Sequence, residues 1–223
     1  LAELMETETR MKKMGVRNTI VFQGSARINE QDEKFTKNGY DRYYTDAYEL
    51  SKQLTKWSED TFSERETKFY ISSGAGPGIM EAANKGAHDA GGQSVGLGIK
   101  LPFEQTNNEY VTPELDFVYH YFFTRKYWFM YQAKALVIFP GGFGTMDELF
   151  EALTLIQCQK VKKPVPTVLY GKDFWENVIG WNKFVEAGTI SKKDLNLFKI
   201  VDDVDTAKTF LIEEITKYYK LHF

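Results

Sequence analysis

Short apolar runs alternate with longer amphipathic stretches along most of the chain. Runs rich in β-branched and aromatic residues fall at 19–22, 69–72, 94–97, 117–119, 135–139, 167–170 and, more weakly, 198–201. Their length and composition predict strands. Stretches at 43–58, 78–90, 124–134, 145–160, 174–187 and 206–220 are longer and predict helices. Short apolar strands separated by helices indicate a parallel sheet covered on both faces. The pattern therefore predicts an α/β fold of about seven parallel strands with helices on both faces.

Helix breakers agree with this order. Gly91-Gly92 ends the helix at 78–90, and Pro164 follows the one at 145–160. The charged stretch 29–42 reads as a solvated loop leading into the second element. Residues 1–15 mix acids, bases and methionines and read as an N-terminal extension or helix, without the apolar core of a secretory signal. No repeat, low-complexity tract or change of composition divides the chain, so residues 1–223 are expected to form one domain. A chain of 223 residues is long enough for a well-buried core.

Composition then excludes some functions. Hydrophobic residues make up 43% and charged residues 26%, as in ordinary globular proteins. A net charge of −3 argues against broad attraction to nucleic acid or an anionic membrane. No apolar run approaches the ~18 residues of a membrane-spanning helix. Cys158 is the only cysteine, which rules out an intrachain disulfide and suits a reducing cytoplasm, the expected location. It lies in the run Leu155-Ile156-Gln157-Cys158 and reads as a buried structural thiol. His88, His120 and His222 have no metal-ligand spacing, so no metal is expected.

Candidate chemistry gathers in turns that follow strands, the edge of an open α/β sheet where ligands bind. Gln23-Gly24-Ser25-Ala26 follows the first strand, Ser73-Gly74-Ala75-Gly76-Pro77-Gly78 the second, and Gly141-Gly142-Phe143-Gly144-Thr145 the fifth. The last opens a helix, where unpaired amides and the helix dipole favour phosphate. Glu148 stands one turn into that helix, where a pure phosphate binder gains nothing from a carboxylate. A phosphate cradle with an adjacent acid suggests chemistry on a phosphorylated sugar. The first turn lacks the dinucleotide pattern G-x-G-x-x-G, and the lysine of an NTPase loop is absent.

Each candidate also has a purely structural reading. Thr145 and Glu148 have the spacing of a capping box, although a plain cap does not require Gly141, Gly142 and Gly144 together. Gly74, Gly76 and Gly78 also suit tight turning alone, and Glu81 suits the helix dipole. Arg125-Lys126 is either a surface cation pair or a phosphate and transition-state clamp. Trp128, Phe129 and Tyr131 read as core in preference to a base-stacking platform.

Taken together, these residues resemble the LOG (Lonely Guy) family of nucleotide-processing enzymes. Pro140 to Glu148 match the family signature P-G-G-x-G-T-x-x-E throughout, Arg125-Lys126 match its upstream pair, and Gly76 to Ala87 match G-P-G-I-M-E-A-A-N-K-G-A. The resemblance implies a Rossmann-like, doubly wound parallel sheet. It also implies hydrolysis of the N-glycosidic bond of a nucleoside 5′-monophosphate, AMP-like or a cytokinin riboside monophosphate, to free base and ribose 5-phosphate. Arg125 and Glu148 would be catalytic, and Gly141, Gly142, Phe143, Gly144 and Thr145 would hold the phosphate. Gly24, Ser25, Gly74, Gly76, Met80, Glu81 and Lys126 would border the sugar or base. No cofactor is implied, and the chain is expected to form a homo-oligomer, a dimer or higher. Ala75 replaces a glycine of many relatives, and Gln23-Gly24-Ser25-Ala26 stands where the cytokinin-activating members tend to carry C-G-S-S, which bears on the preferred base more than on the reaction. Two other readings stand beside this one. A nucleotide carrier or sensor needs the cradle without the Arg125–Glu148 pair. An amino-acid decarboxylase needs a Schiff-base lysine, for which Lys126 and Lys134 are available, but nothing here resembles a site for the pyridoxal phosphate ring.

Overall fold

The computed structural model describes residues 1–30, 33–102 and 106–219. Its first half runs α1 (Ala2–Met14), β1 (Asn18–Gln23), α2 (Glu33–Lys37), α3 (Arg42–Thr61), β2 (Phe69–Ser73), α4 (Ile79–Asp89), β3 (Ser94–Ile99) and β4 (Asp116–Tyr119). The second half runs α5 (Phe122–Gln132), β5 (Ala133–Ile138), α6 (Phe143–Gln157), β6 (Thr167–Tyr170), α7 (Lys172–Val178), α8 (Trp181–Glu186), β7 (Lys199–Val201) and α9 (Val204–Tyr219). Among the described residues the strands form one parallel sheet in the order β4-β3-β2-β1-β5-β6-β7. The chain starts at the centre, moves outward to β4, and returns to β5 on the other side of β1. That reversal makes the carboxyl ends of β1 and β5 the topological switch point, where such sheets open a ligand crevice.

Strand alternation explains why both faces are covered. β1 sends Ile20 and Phe22 to one face and Val21 to the other, and β5 splits Ala135 and Val137 from Leu136 and Ile138 in the same way. On the first face α3, α4 and α9 bury Leu50, Ala82 and Leu211; on the second α1, α5, α6 and α7 bury Met11, Trp128, Leu149 and Trp175. Each large apolar side chain so buried contributes about 1.5–3 kcal/mol. The expected α/β sheet with helices on both faces is thus observed.

Several boundaries differ from the sequence reading. The N-terminal stretch is a helix, ended by Gly15 at φ 76 with its amide donating to the Lys12 carbonyl, and Met11 seats it on the sheet. The stretch 29–42 is not simply a solvated loop: it includes α2, and Phe35 and Tyr40 pack against the first core. The helix expected at 174–187 is two, because Ile179 adopts extended backbone, φ −123 and ψ 117. The break lets Ile179 enter the second core and brings the Trp181 and Phe198 rings to 4.5 Å. α5 passes directly into β5, and Lys134 falls at a register shift. Cys158 caps the end of α6 and is exposed, which corrects its expected burial: α6 stops at Gln157, so the thiol is not carried back over the sheet. Lys220, expected to end the last helix, and His222 lie outside the described residues.

Candidate active site

A cleft of about 730 Å³ opens at the switch point between β1 and β5. The turns after these strands are tied together by backbone bonds. Ser25 donates from its amide to the Pro140 carbonyl at 3.0 Å and accepts at its own carbonyl from Ile79 at 3.0 Å. This stitches the first turn, the α6 turn and the start of α4 into one rim. Gly24 allows the closeness, since a methyl there would meet the Ile79 side chain at 2.6 to 2.9 Å.

The α6 turn has the backbone features that an anion cradle requires. The helix takes Gly142 as its N-cap and makes its first bond from the Met146 amide to the Gly142 carbonyl, 3.0 Å. The amides of Gly142, Phe143, Gly144 and Thr145 therefore have no acceptor within the helix. Gly141 has a packing reason, because a Cβ would strike the Thr145 side chain. Gly142 and Gly144 have none: a Cβ at either meets nothing within 4 Å, and neither has a positive φ. Phe143 between them is 95% exposed at the cleft edge. The capping box is absent, because α6 begins ahead of Thr145, which is buried and makes no side-chain cap.

Glu148 lines the cleft, with its side chain 11% exposed. Burial pushes its carboxyl up to about 7, against the opposing pull of Lys126 and Arg125. Arg125 lines the same cleft. Its Nε donates to the Leu97 carbonyl at 2.7 Å, its guanidinium lies 5.1 Å from the Phe129 ring centre, and burial lowers its proton affinity. It is no surface cation. No direct ion pair joins it to Glu148 among the described residues, and the nearer cation is Lys126, with Nζ 3.8 Å from Glu148 Oε1. Lys126 also reaches Asp147 at 2.8 Å and Glu151 at 2.7 Å.

The expected site residues divide into three groups. Gly24, Ser25, Met80, Arg125, Glu148 and the whole 141–145 turn line one cleft. Gly74 and Gly76 are buried outside the residues that line it: Gly74 supports Arg125, since a Cβ there would collide with its guanidinium and with Met80 Sδ, while the Gly76 carbonyl accepts from Asn108 Nδ2 at 3.1 Å. Glu81 turns to α3 and accepts from the Tyr44 hydroxyl at 2.9 Å, and Lys126 borders an adjoining hollow with Asp147 and Glu151. Ala75 holds φ 58, a left-handed conformation that costs about 1–2 kcal/mol for a residue with a Cβ. Bonds from Asn108 N and Nδ2 to its carbonyl, 2.8 and 3.0 Å, hold it there.

Sequence reasoning missed the far wall of the cleft, formed by Ile28, Phe35, Tyr40, Phe174 and Val178. Aromatic residues within a charged stretch were the available signal. Trp128 and Phe129 are core as expected, but Tyr131 is 53% exposed. A Schiff-base lysine needs a neutral amine, whereas Lys126 is held protonated among three carboxylates; Lys134, whose proton affinity burial lowers, stands outside the cleft lining with its Nζ 5.0 Å from the Tyr219 ring centre. Among the described residues no cluster of three or more His, Cys, Asp and Glu side chains suits a metal, and no helix is long and apolar enough to cross a membrane.

With this geometry in place, comparison with known proteins adds a lineage. Residues 80–211 match the profile of a family described as "Possible lysine decarboxylase". A rice protein (Oryza sativa subsp. japonica) named "Probable cytokinin riboside 5'-monophosphate phosphoribohydrolase LOG4" is 28% identical over 214 residues, 95% of this chain and 83% of its own. The Arabidopsis thaliana protein named "Cytokinin riboside 5'-monophosphate phosphoribohydrolase LOG3" is 26% identical over 215 residues, 95% of this chain and 87% of its own. Among solved structures, the molybdenum cofactor binding protein of the phototrophic bacterium Rippkaea orientalis superposes with a TM-score of 0.59 at 18% identity, covering 90% of this chain and 98% of that one. The structural-genomics target TM1055 gives 0.56 at 19%, covering 88% and 99%. The two structural likenesses concern the fold.

Proposed function

This chain belongs to the LOG family, and from that premise we propose that its cleft hydrolyses the N-glycosidic bond of nucleoside 5′-monophosphates. The observation that carries the reading is the pairing of unbonded amides at 142–145 with a buried carboxyl, Glu148, one turn along the same helix and in the same cleft. A phosphate on the amides places the attached ribose against the carboxyl. The names of the rice and Arabidopsis relatives support a cytokinin riboside 5′-monophosphate as one such substrate.

In the proposed reaction a water oxygen bonds to the anomeric carbon as the carbon–nitrogen bond breaks, and the departing base takes the electron pair and a proton. Positive charge builds on the sugar, as in other glycoside cleavages. Glu148, when ionised, stabilises that charge and accepts the water's proton, and a carboxyl near pKa 7 is suited to both states. Arg125 orients the nucleotide from the α5 side.

The test is release of free base from a panel of nucleoside monophosphates, measured by chromatography. The matching nucleosides without phosphate should be poor substrates. Glu148→Gln should lower turnover by roughly 10²-fold or more while the protein stays folded. Near-normal turnover by that variant removes Glu148 from the reaction, and tight nucleotide binding without any base release favours a carrier.

A further inference from the structure

Lys126 belongs to the family's Arg-Lys pair by sequence, yet its ammonium is committed to protein carboxylates. Its side chain is 15% exposed, and it borders the hollow beside the cleft, not the cleft itself. Asp147 and Glu151 bind it at 2.8 and 2.7 Å, while Glu148 between them on α6 stands at 3.8 Å. One cation is thus shared by three acids, two of them at ion-pair contact and the third, the cleft acid, at longer range. Arg125 is the other charge facing Glu148 from α5, and Asp147 and Glu151 face it from α6.

We propose that Lys126 is a positioning residue that acts on the substrate only through Glu148, with Asp147 and Glu151 setting how much of its charge Glu148 receives. The inference rests on the reading of Glu148 given above. Lys126 offsets part of the cost of burying an ionised carboxylate, and the two flanking acids draw its ammonium away. Glu148 is left poised between its protonated and ionised forms. Changing either side of this balance therefore moves Glu148 in a defined direction.

Opposite shifts are the signature. Glu148 can be followed by carbon NMR of labelled glutamate carboxyls, with the resonance assigned through Glu148→Gln. Lys126→Met should raise its midpoint by about one unit, Lys126→Arg should leave it near the wild-type value, and Glu151→Gln should lower it. The acid limb of the kcat/KM profile on a nucleoside monophosphate should follow the same three directions. Preference for nucleotide over nucleoside should persist in Lys126→Met. An unmoved Glu148 midpoint in folded Lys126→Met, or an upward shift in Glu151→Gln, overturns the proposal, as does loss of the nucleotide preference, which makes Lys126 a phosphate ligand. If Lys126→Met does not fold, Glu151→Gln still decides the direction. The titration needs no turnover, so a wild type that releases no base overturns the proposed reaction and leaves the titration to judge Lys126.

Discussion

Gly74 and Arg125 show how a residue outside the cleft governs one inside it. The guanidinium occupies the space that a side chain at Gly74 would fill, while Nε is anchored to the Leu97 carbonyl. A methyl at Gly74 meets side-chain ends of Arg125 and Met80, not backbone, so the fold can accommodate it by displacing those ends. Gly74→Ala should therefore cut turnover roughly tenfold or more through misplacement of Arg125, with thermal stability changed by less than about 1 kcal/mol. Base release and thermal unfolding on the same sample check this; full activity in the variant would show that Arg125 tolerates displacement. The sequence left Gly74 between tight packing and a place beside the ligand, and the structure sets it against Arg125 and Met80. A glycine pattern reports that something approaches closely, and only coordinates say what.

At the scale of elements, close packing overrides local preference. α3 and α4 cross at Gly86, where an added Cβ would press on the Tyr48 carbonyl and lie 3.0 Å from the Lys52 amide nitrogen. Helix propensity alone says that Gly86→Ala stabilises by about 1 kcal/mol. Backbone atoms of a packed helix cannot swing aside, so the substitution should instead destabilise by about 1–3 kcal/mol. Denaturant unfolding reads the sign, and a stabilised variant would refute the tight crossing. The start of α6 teaches the same lesson. Spacing offered Thr145 as a cap, but the cap is Gly142, three residues earlier, which leaves the 142–145 amides without acceptors in the helix, while Glu148 lines the cleft. The break between α7 and α8 likewise follows from where Ile179 and Trp181 find apolar partners, information that periodicity along one segment lacks.

The whole molecule bears the cost of its buried acid. Folding raises the Glu148 carboxyl from 4.5 to about 7, so the folded protein holds this proton more tightly than the unfolded chain. The stabilisation is full below about pH 4.5 and is lost as pH rises to about 7, a contribution on the order of 3 kcal/mol. Glu148→Gln cannot ionise and should escape that loss. The stability difference between the variant and wild type should thus grow in the variant's favour from pH 5 to pH 8, as measured by denaturation across the range. A difference that stays constant with pH would mean that Glu148 is not buried at this cost.

The alternation of strands and longer helices, the two-sided sheet and the glycine turn that opens α6 were legible in the chain. Each depends on contacts close in sequence: the period of apolar residues, glycine at a strand end, a helix that follows at once. Gly141 to Thr145, Arg125 and Glu148 could be singled out for the same reason. The tertiary structure decided which residues share the cleft, because that depends on strand order and side-chain direction across segments far apart in sequence. It placed Phe35 and Tyr40 on the cleft wall, turned Glu81 towards Tyr44, and set Lys126 among Asp147, Glu148 and Glu151. Charge and burial at Glu148 are sums over all of these neighbours, and no local pattern contains such a sum.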